Sequence, residues 1–199
     1  MSLYSQDRGF TDFVHENLAV PIIYNSMDWS VKNIDPTELE KLDINKGVDY
    51  VITDGNGMVA TVQERFRDNF YSKYNDATLR FRRDFNPNPS RVESEFYKIE
   101  ADYLVYGITN GKKFIDKRHT LSDFVKWVVL DLRFIQNKYK SKELVIVSDN
   151  KITCWADKEV LYCPENFNPD RSSSFIPFDV PLMFSLWGMG PIVKQKGFL

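Results

Sequence analysis

The chain has 199 residues, 43% of them hydrophobic and 15% aromatic, so a single folded domain with a substantial core is expected. Its formal net charge of -2 excludes a strong overall attraction to nucleic acid, so any such binding must come from local basic clusters. No apolar run reaches about 18 residues and no signal-peptide core is present, which predicts a cytoplasmic protein without a membrane span.

Two helices are predicted before the first strand. The first carries an apolar stripe at helical spacing, formed by Phe10, Phe13, Val14 and Leu18. Pro21 is expected to end this helix, because proline lacks the backbone N–H that the next turn needs. A second, short helix is predicted over residues 36–42, with Asp35 as its N-terminal cap.

Polar residues mark the next two predicted strands. A hairpin over residues 50–58, turned at residues 54–57, would bring Asp49 beside the second strand. Side chains alternate along a strand, so Gln63 and Arg65 should point to the same face. One carboxylate, one carboxamide oxygen and one cation would then converge. Hard oxygen ligands suit Mg²⁺, and a neighbouring cation suits a phosphate.

Two segments of this region resemble the core of the PD-(D/E)XK nuclease superfamily. They are residues 43–52 (Asp-Ile-Asn-Lys-Gly-Val-Asp-Tyr-Val-Ile) and residues 58–67 (Met-Val-Ala-Thr-Val-Gln-Glu-Arg-Phe-Arg). The match is closest to the Gln-x-Lys subset, found in methylation-dependent restriction enzymes and many virus-encoded nucleases, and covers about residues 7–107. The resemblance implies one restriction-endonuclease-like α/β domain over residues 1–199, with a mixed central β-sheet flanked by α-helices.

The resemblance also implies an activity and a set of site residues. The activity is metal-dependent hydrolysis of DNA phosphodiester bonds, with Mg²⁺ or Mn²⁺ as cofactor. The implied ligands are Asp49 at the centre, Gln63 through its side-chain oxygen, and Glu16 on the first helix as holder of a metal-bound water. Asp12, four residues earlier, is the alternative to Glu16, and a solvated helix carboxylate is the other interpretation. Glu64 should face away from Gln63, but a β-bulge would make it a ligand.

Arg65 stands where the family has lysine. Its guanidinium can bind a phosphate, but it stays protonated and cannot act as a base. A catalytically impaired protein that binds nucleic acid or a protein partner is therefore the alternative function. A third hypothesis is a structural protein with no nucleic-acid role. If the chain is virus-encoded, the expected location is the host cytoplasm.

Basic clusters supply the candidate DNA surface. A strand is predicted over residues 78–83 and another over residues 96–109, with basic residues around both. The predicted contacts are Arg80, Arg82, Arg83, Lys112 and Lys113. An ordinary solvated surface is the alternative for each cluster.

The last third of the chain is predicted as a helix followed by short strands. The helix spans residues 121–139 with a full apolar stripe, and a buried strand follows over residues 144–147. A crossover of this kind would place that strand parallel to residues 96–109 in one sheet. A hairpin is predicted over residues 152–163. The aromatic tail, residues 175–199, either packs on the chain's own core or forms a symmetric homodimer.

Overall fold

The structure, a computed structural model, describes residues 3–82, 100–148, 151–168 and 173–199, with side chains from Arg8 onward. The α-helices in these ranges are α1 (Leu3–Val14), α2 (Pro36–Lys46), α3 (Leu132–Lys140) and α4 (Val180–Trp187), and π-helical turns over His15–Tyr24 follow α1 directly. The strands are β1 (Ser30–Val31), β2 (Tyr50–Thr53), β3 (Val59–Arg67), β4 (Asp76–Arg82), β5 (Tyr103–Thr109), β6 (Phe124–Asp131), β7 (Leu144–Val147), β8 (Trp155–Asp157), β9 (Val160–Pro164), β10 (Asn166–Phe167), β11 (Ser174–Asp179) and β12 (Ile192–Lys196).

A six-stranded mixed sheet forms the centre of the molecule. Its strand order is β1-β2-β3-β5-β6-β12, with β3 and β5 parallel and the other neighbours antiparallel. Two smaller sheets have the orders β10-β11-β4 and β7-β9-β8. The predicted α/β class, with a mixed central sheet flanked by helices, is confirmed.

Each face of the central sheet carries its own core. On one face α1 and the helical turns after it contribute apolar side chains, which include Phe10, Val14, Leu18 and Ile23. On the other face the β10-β11-β4 sheet, α3 and α4 contribute buried residues, which include Leu79, Phe81, Ile135, Ile176 and Met183. Full burial of one such side chain contributes about 1.5–3 kcal/mol, so the two cores fix α1 and β4 on opposite faces of β3.

Helix α2 and the β2–β3 hairpin form at the positions where the sequence predicted a helix and a hairpin. Asp35 caps α2, its carboxylate accepting from the Thr37 N–H at 2.9 Å. Helix α2 continues to Lys46, and Gly47 ends it in the left-handed conformation with φ of 62°. In the β2–β3 turn the Asp54 carboxylate accepts from the Met58 N–H at 2.8 Å. The predicted hairpin is confirmed.

The predicted helix over residues 121–139 is wrong. Strand β6 occupies its first half, and α3 begins only at Leu132, where the Asp131 carboxylate caps the Phe134 N–H. Strand β6 lies between β5 and β12, and it is buried on both faces from Lys126 to Leu130. In the sequence, a strand buried on both faces is a continuous run of apolar residues. Such a run also contains apolar residues at helical spacing, so the pattern predicted a helix.

Two further predictions are corrected. The helical turns continue past Pro21 to Tyr24 as wider π-helical turns, and these relieve the proline clash that ends an α-helix. Strand β7 does not join β5 through a parallel crossover, because it pairs with β9 in a separate sheet. The hairpin predicted over residues 152–163 is confirmed by the antiparallel pair β8 and β9.

The aromatic tail is a regular part of the fold. It forms β11, α4 and β12, and it buries Phe178 and Phe198 in the chain's own core, while Phe184 stays exposed. Residues 96–99 of the predicted second strand lie outside the described residues. Within the described ranges, every helix is too short or too polar to cross a lipid bilayer.

Candidate active site

The candidate site lies where β3 extends beyond the end of β2. Strand β2 begins at Tyr50, which pairs with Val62, whereas residues 63–67 of β3 pair only with β5 among the described strands. At this edge the Asp49 carboxylate accepts a hydrogen bond of 2.7 Å from the Glu64 backbone N–H. The Asp49 carboxylate thus accepts the backbone hydrogen bond that a neighbouring strand would otherwise accept from Glu64, and this bond holds Asp49 against β3.

An open cavity of about 480 Å³ lies along this edge of β3. Side chains from both faces of β3 reach it, since it opens beyond the end of β2. Its walls include residues that the sequence proposed for two separate roles, namely Asp49, Gln63, Arg65, Arg80, Lys112 and Lys113. The fold therefore brings together two of the three predicted metal ligands, Asp49 and Gln63, and most of the predicted phosphate contacts.

A second cavity of about 570 Å³ adjoins the first, and we call the two together the groove. The cavities share Thr11, Asp43, Asp49, Glu64 and Arg80. The second adds two carboxylates and one cation, which are Asp12, Glu40 and Arg8. The first adds four cations and one carboxylate, which are Arg65, Arg67, Lys112, Lys113 and Asp68. The groove is thus acidic at one end and basic at the other.

Glu64 is a buried carboxylate of the groove that two side chains hold in place. It is only 7% exposed, and its Oε1 accepts from the Tyr24 hydroxyl at 2.6 Å and lies 2.9 Å from His15 Nδ1. The His15 ring stacks on Tyr50 with 3.8 Å between ring centroids. The other oxygen, Oε2, is buried and has no hydrogen-bond partner among the described residues. One Glu64 oxygen is therefore clamped, which leaves the second as an acceptor at the groove.

The tyrosines around Glu64 remain neutral. Burial, followed by the negative charge of Glu64, raises the pKa of Tyr24 well above its ordinary value. Burial and the charges of Glu64 and Asp49 likewise raise the pKa of Tyr50. Because loss of either proton would add a buried negative charge, Tyr24 stays a donor to Glu64 at neutral pH.

Gln63 presents a second unsatisfied oxygen. Its side chain is 7% exposed and lines the first cavity, and its Oε1 has no hydrogen-bond partner among the described residues. A buried carbonyl oxygen without a partner costs about 1–3 kcal/mol. A cation or a hydrogen-bond donor bound in the cavity would remove this cost.

The cationic wall is built by β3 and β4. Arg65 and Arg67 lie on the same side of β3 as Gln63, as strand alternation predicts. The Arg67 guanidinium donates to Thr78 Oγ1 at 3.3 Å and lies 5.2 Å from the centroid of the Tyr71 ring. These contacts hold one guanidinium in a fixed position at the wall of the cavity.

The structure separates the two helix carboxylates that the sequence left as alternatives. Asp12 lines the second cavity together with Asp49, whereas Glu16 is exposed and lines neither cavity of the groove. The charges of both residues add to the raised pKa of Tyr50, with Asp12 the larger contributor. Asp12 is therefore the helix carboxylate that the fold brings to the site.

Arg82 does not face the groove. Its Nε and Nη2 each donate to the Glu165 carboxylate at 2.7 Å, which is a bidentate ion pair between β4 and β9–β10. Arg80, two residues earlier, lines both cavities. Arg83, the remaining predicted contact, lies outside the described residues.

His15 and Tyr24 are site residues that the sequence reasoning missed. Both are buried on the helical segment that packs on β3, and both contact the same Glu64 oxygen. The signal was present, because His15 falls between Val14 and Leu18 of the apolar stripe. A titratable residue at a core position needs a polar partner.

No family model, curated protein or solved structure matches this chain. In the part of the chain that the structure describes, no three His, Cys, Asp or Glu side chains converge on one point. The carboxylates of Asp49 and Glu64 and the carboxamide oxygen of Gln63 are nevertheless hard donors that line one cavity. Such a set fits Mg²⁺, which retains several water ligands when protein donors are few.

Proposed function

We propose that this protein is a metal-dependent nuclease that hydrolyses phosphodiester bonds of DNA, on a restriction-endonuclease-like fold. One observation carries the proposal: Gln63 and Glu64 line the same cavity as a wall of cations, and each has a buried side-chain oxygen, Gln63 Oε1 and Glu64 Oε2, with no hydrogen-bond partner among the described residues. Unsatisfied oxygens favour a bound cation, and arginines and lysines favour phosphate groups.

The chain's own residues would divide the work. Asp49, Gln63 and Glu64 would hold Mg²⁺ or Mn²⁺, and Asp12 would orient water at the acidic end of the groove. A metal ion bound there supplies charge neutralisation at the phosphate and a water of lowered pKa. His15 fixes the orientation of Glu64 and so acts as a positioning residue.

The basic wall would hold the substrate. Arg65 can bind the scissile phosphate through two donors and stabilise the charge that develops on it. Lys112 and Lys113 would contact neighbouring phosphates at the mouth of the cavity. Arg65 remains protonated, so a metal-bound water would have to lose its proton to solvent or to a carboxylate.

Cleavage of labelled DNA with Mg²⁺ or Mn²⁺ tests the proposal. Asp49→Asn and Glu64→Gln should each lower the rate at least about a hundredfold, since they remove a charged ligand. Asp157→Asn, at an exposed position of β8 outside the groove, is the matched control and should cleave like the wild type. Equal rates in all four proteins would overturn the proposal.

The catalytically impaired alternative is favoured by Arg65 alone. If the wild type binds DNA without cleaving it in either metal, the chain is a nucleic-acid-binding module. Arg65→Lys then tests whether Arg65 is the reason for the missing cleavage, because lysine restores the family pattern at nearly constant charge.

A further inference from the structure

Large aromatic side chains are exposed at the mouth of the basic cavity. Phe70 and Phe114 are 59% and 57% exposed, and Tyr71 and Tyr74 are also exposed. We call Phe70, Tyr71, Tyr74 and Phe114 the aromatic rim. Three of the four, all but Tyr74, line the cavity itself. A cluster of exposed rings beside a binding site marks a surface that contacts a ligand.

The aromatic rim is held in place by its backbone. Residues 69–73 form a short 3₁₀ turn whose first residue is fixed by the Asn69 N–H, which donates to the Gly111 carbonyl at 3.0 Å. The Asp68 carboxylate caps the turn at the Phe70 N–H. This arrangement ties the backbone of Phe70 to the loop that carries Phe114.

Cations lie between the rings. Lys73 Nζ is 5.1 Å from the centroid of Phe70 and 5.0 Å from that of Tyr74, and Lys112 Nζ is 6.0 Å from Phe70. Lys113 lines the same cavity wall. Rings with interleaved ammonium groups match a ligand that offers flat apolar faces at intervals along an anionic backbone.

We propose that the nucleic acid bound in this groove is single-stranded, with bases near the scissile phosphate stacked on Phe70 and Phe114. The inference rests on the proposed function of the same site. A duplex keeps its base faces inside the stack, so these exposed rings would have no base to contact. An unpaired strand exposes each base face, and stacking on an aromatic ring tolerates any base sequence. Lys73 and Lys112 would then contact the phosphates that flank the stacked bases.

Binding without cleavage tests the inference directly. Fluorescence anisotropy in EDTA would compare a labelled single strand of mixed sequence with the same strand annealed into a duplex. The wild type should bind the single strand at least about tenfold more tightly. Phe70→Ala with Phe114→Ala should weaken single-strand binding by about 5- to 150-fold or more, because one stacked base contributes roughly this factor.

Matched variants exclude indirect effects. Phe184→Ala, which removes a ring 43% exposed and outside the groove, should bind like the wild type. Phe70→Trp should keep or increase single-strand affinity, since indole also stacks. Lys112→Ala should lower the slope of log K against log salt by about 0.7, whereas the exposed Lys140→Ala should leave it unchanged.

Each outcome decides one of the two proposals. Equal or tighter duplex binding, a double variant that binds like Phe184→Ala, or no binding to either probe would overturn the single-strand inference. Light scattering that shows a wild-type dimer and a monomeric double variant would overturn it as well, and would assign the rim to contact between two copies. Strong, ring-dependent single-strand binding without metal-dependent cleavage would instead reject only the nuclease activity.

Discussion

Tyr24→Phe isolates the hydrogen bond that clamps Glu64. The Tyr24 hydroxyl donates to Glu64 Oε1 at 2.6 Å, and the ring is fully buried in the core between α1 and the sheet. The substitution keeps the ring and leaves no large cavity, so its effect reports the hydroxyl alone. A hydrogen bond to a charged group contributes about 1.5–3 kcal/mol. We therefore expect this loss in the free energy of unfolding.

Urea and thermal denaturation at pH 7 measure this loss. A change of 1 kcal/mol shifts Tm by about 2–4 °C in a domain of this size, so the expected decrease is about 3–12 °C. Burial raises the pKa of Tyr24, so the hydroxyl contributes fully below its unfolded pKa of about 10 and loses its contribution as the pH rises further. The stability difference between the two proteins should therefore shrink only in alkaline solution.

The control for this experiment is Tyr74→Phe, which removes a hydroxyl from an exposed ring. Its unfolding free energy should stay within about 0.5 kcal/mol of the wild type. If Tyr24→Phe and Tyr74→Phe had the same stability, the clamp on Glu64 would not exist as described. His15 alone would then determine how Glu64 is oriented.

Four further predictions concern metal binding, Arg65, the Arg82–Glu165 ion pair and the oligomeric state. Mg²⁺ at a hundred times its Kd should stabilise the wild type by about 2.7 kcal/mol, and calorimetry of Asp49→Asn should show no such gain. Arg65→Lys should keep or increase metal-dependent cleavage, and Arg65→Ala should abolish it in the same gel assay. Arg82→Met should lower stability rather than DNA affinity. Burial raises the pKa of Glu165, but the hydrogen bonds from Arg82, Ser174 and Ser148 and the charge of Arg82 together hold that pKa below its ordinary value. The decrease in the free energy of unfolding caused by Arg82→Met should therefore be largest near pH 7. It should disappear when denaturation is measured at a pH below the pKa of Glu165 in the folded protein. Light scattering at micromolar concentration tests the predicted homodimer, which a monomeric mass would refute.

Local patterns in the sequence were sufficient where short-range contacts decide the structure. Asp35 caps the helix that begins one residue later, and the Asp54 turn joins two strands that pair directly. Both depend on hydrogen bonds between residues a few positions apart, so their signals lie within a short window. The positions of Asp49, Gln63 and Arg65 follow from this hairpin and from strand alternation alone.

Local sequence patterns gave wrong predictions where the burial of a segment depends on the whole sheet. Residues 124–131 form a strand because β5 and β12 cover both of its edges, and neither contact is visible in the local sequence. Arg80 and Arg82 have the same charge and lie two residues apart. Only the tertiary structure decides that Arg80 meets the groove and Arg82 meets Glu165.

By itself, the sequence determined the hairpin that carries Asp49, Gln63 and Arg65, because those residues are linked by short-range pairing. The tertiary structure alone decided the surroundings of that hairpin. It placed Asp12 rather than Glu16 at the groove, brought His15 and Tyr24 to Glu64, and placed Lys112 at the cavity. The His15 and Tyr24 contacts to Glu64 join residues 49 and 40 positions apart in sequence, and they form only when the helical turns after α1 pack on one face of the sheet. Side-chain periodicity specifies which face of an element is buried, but not which polar groups it will meet there.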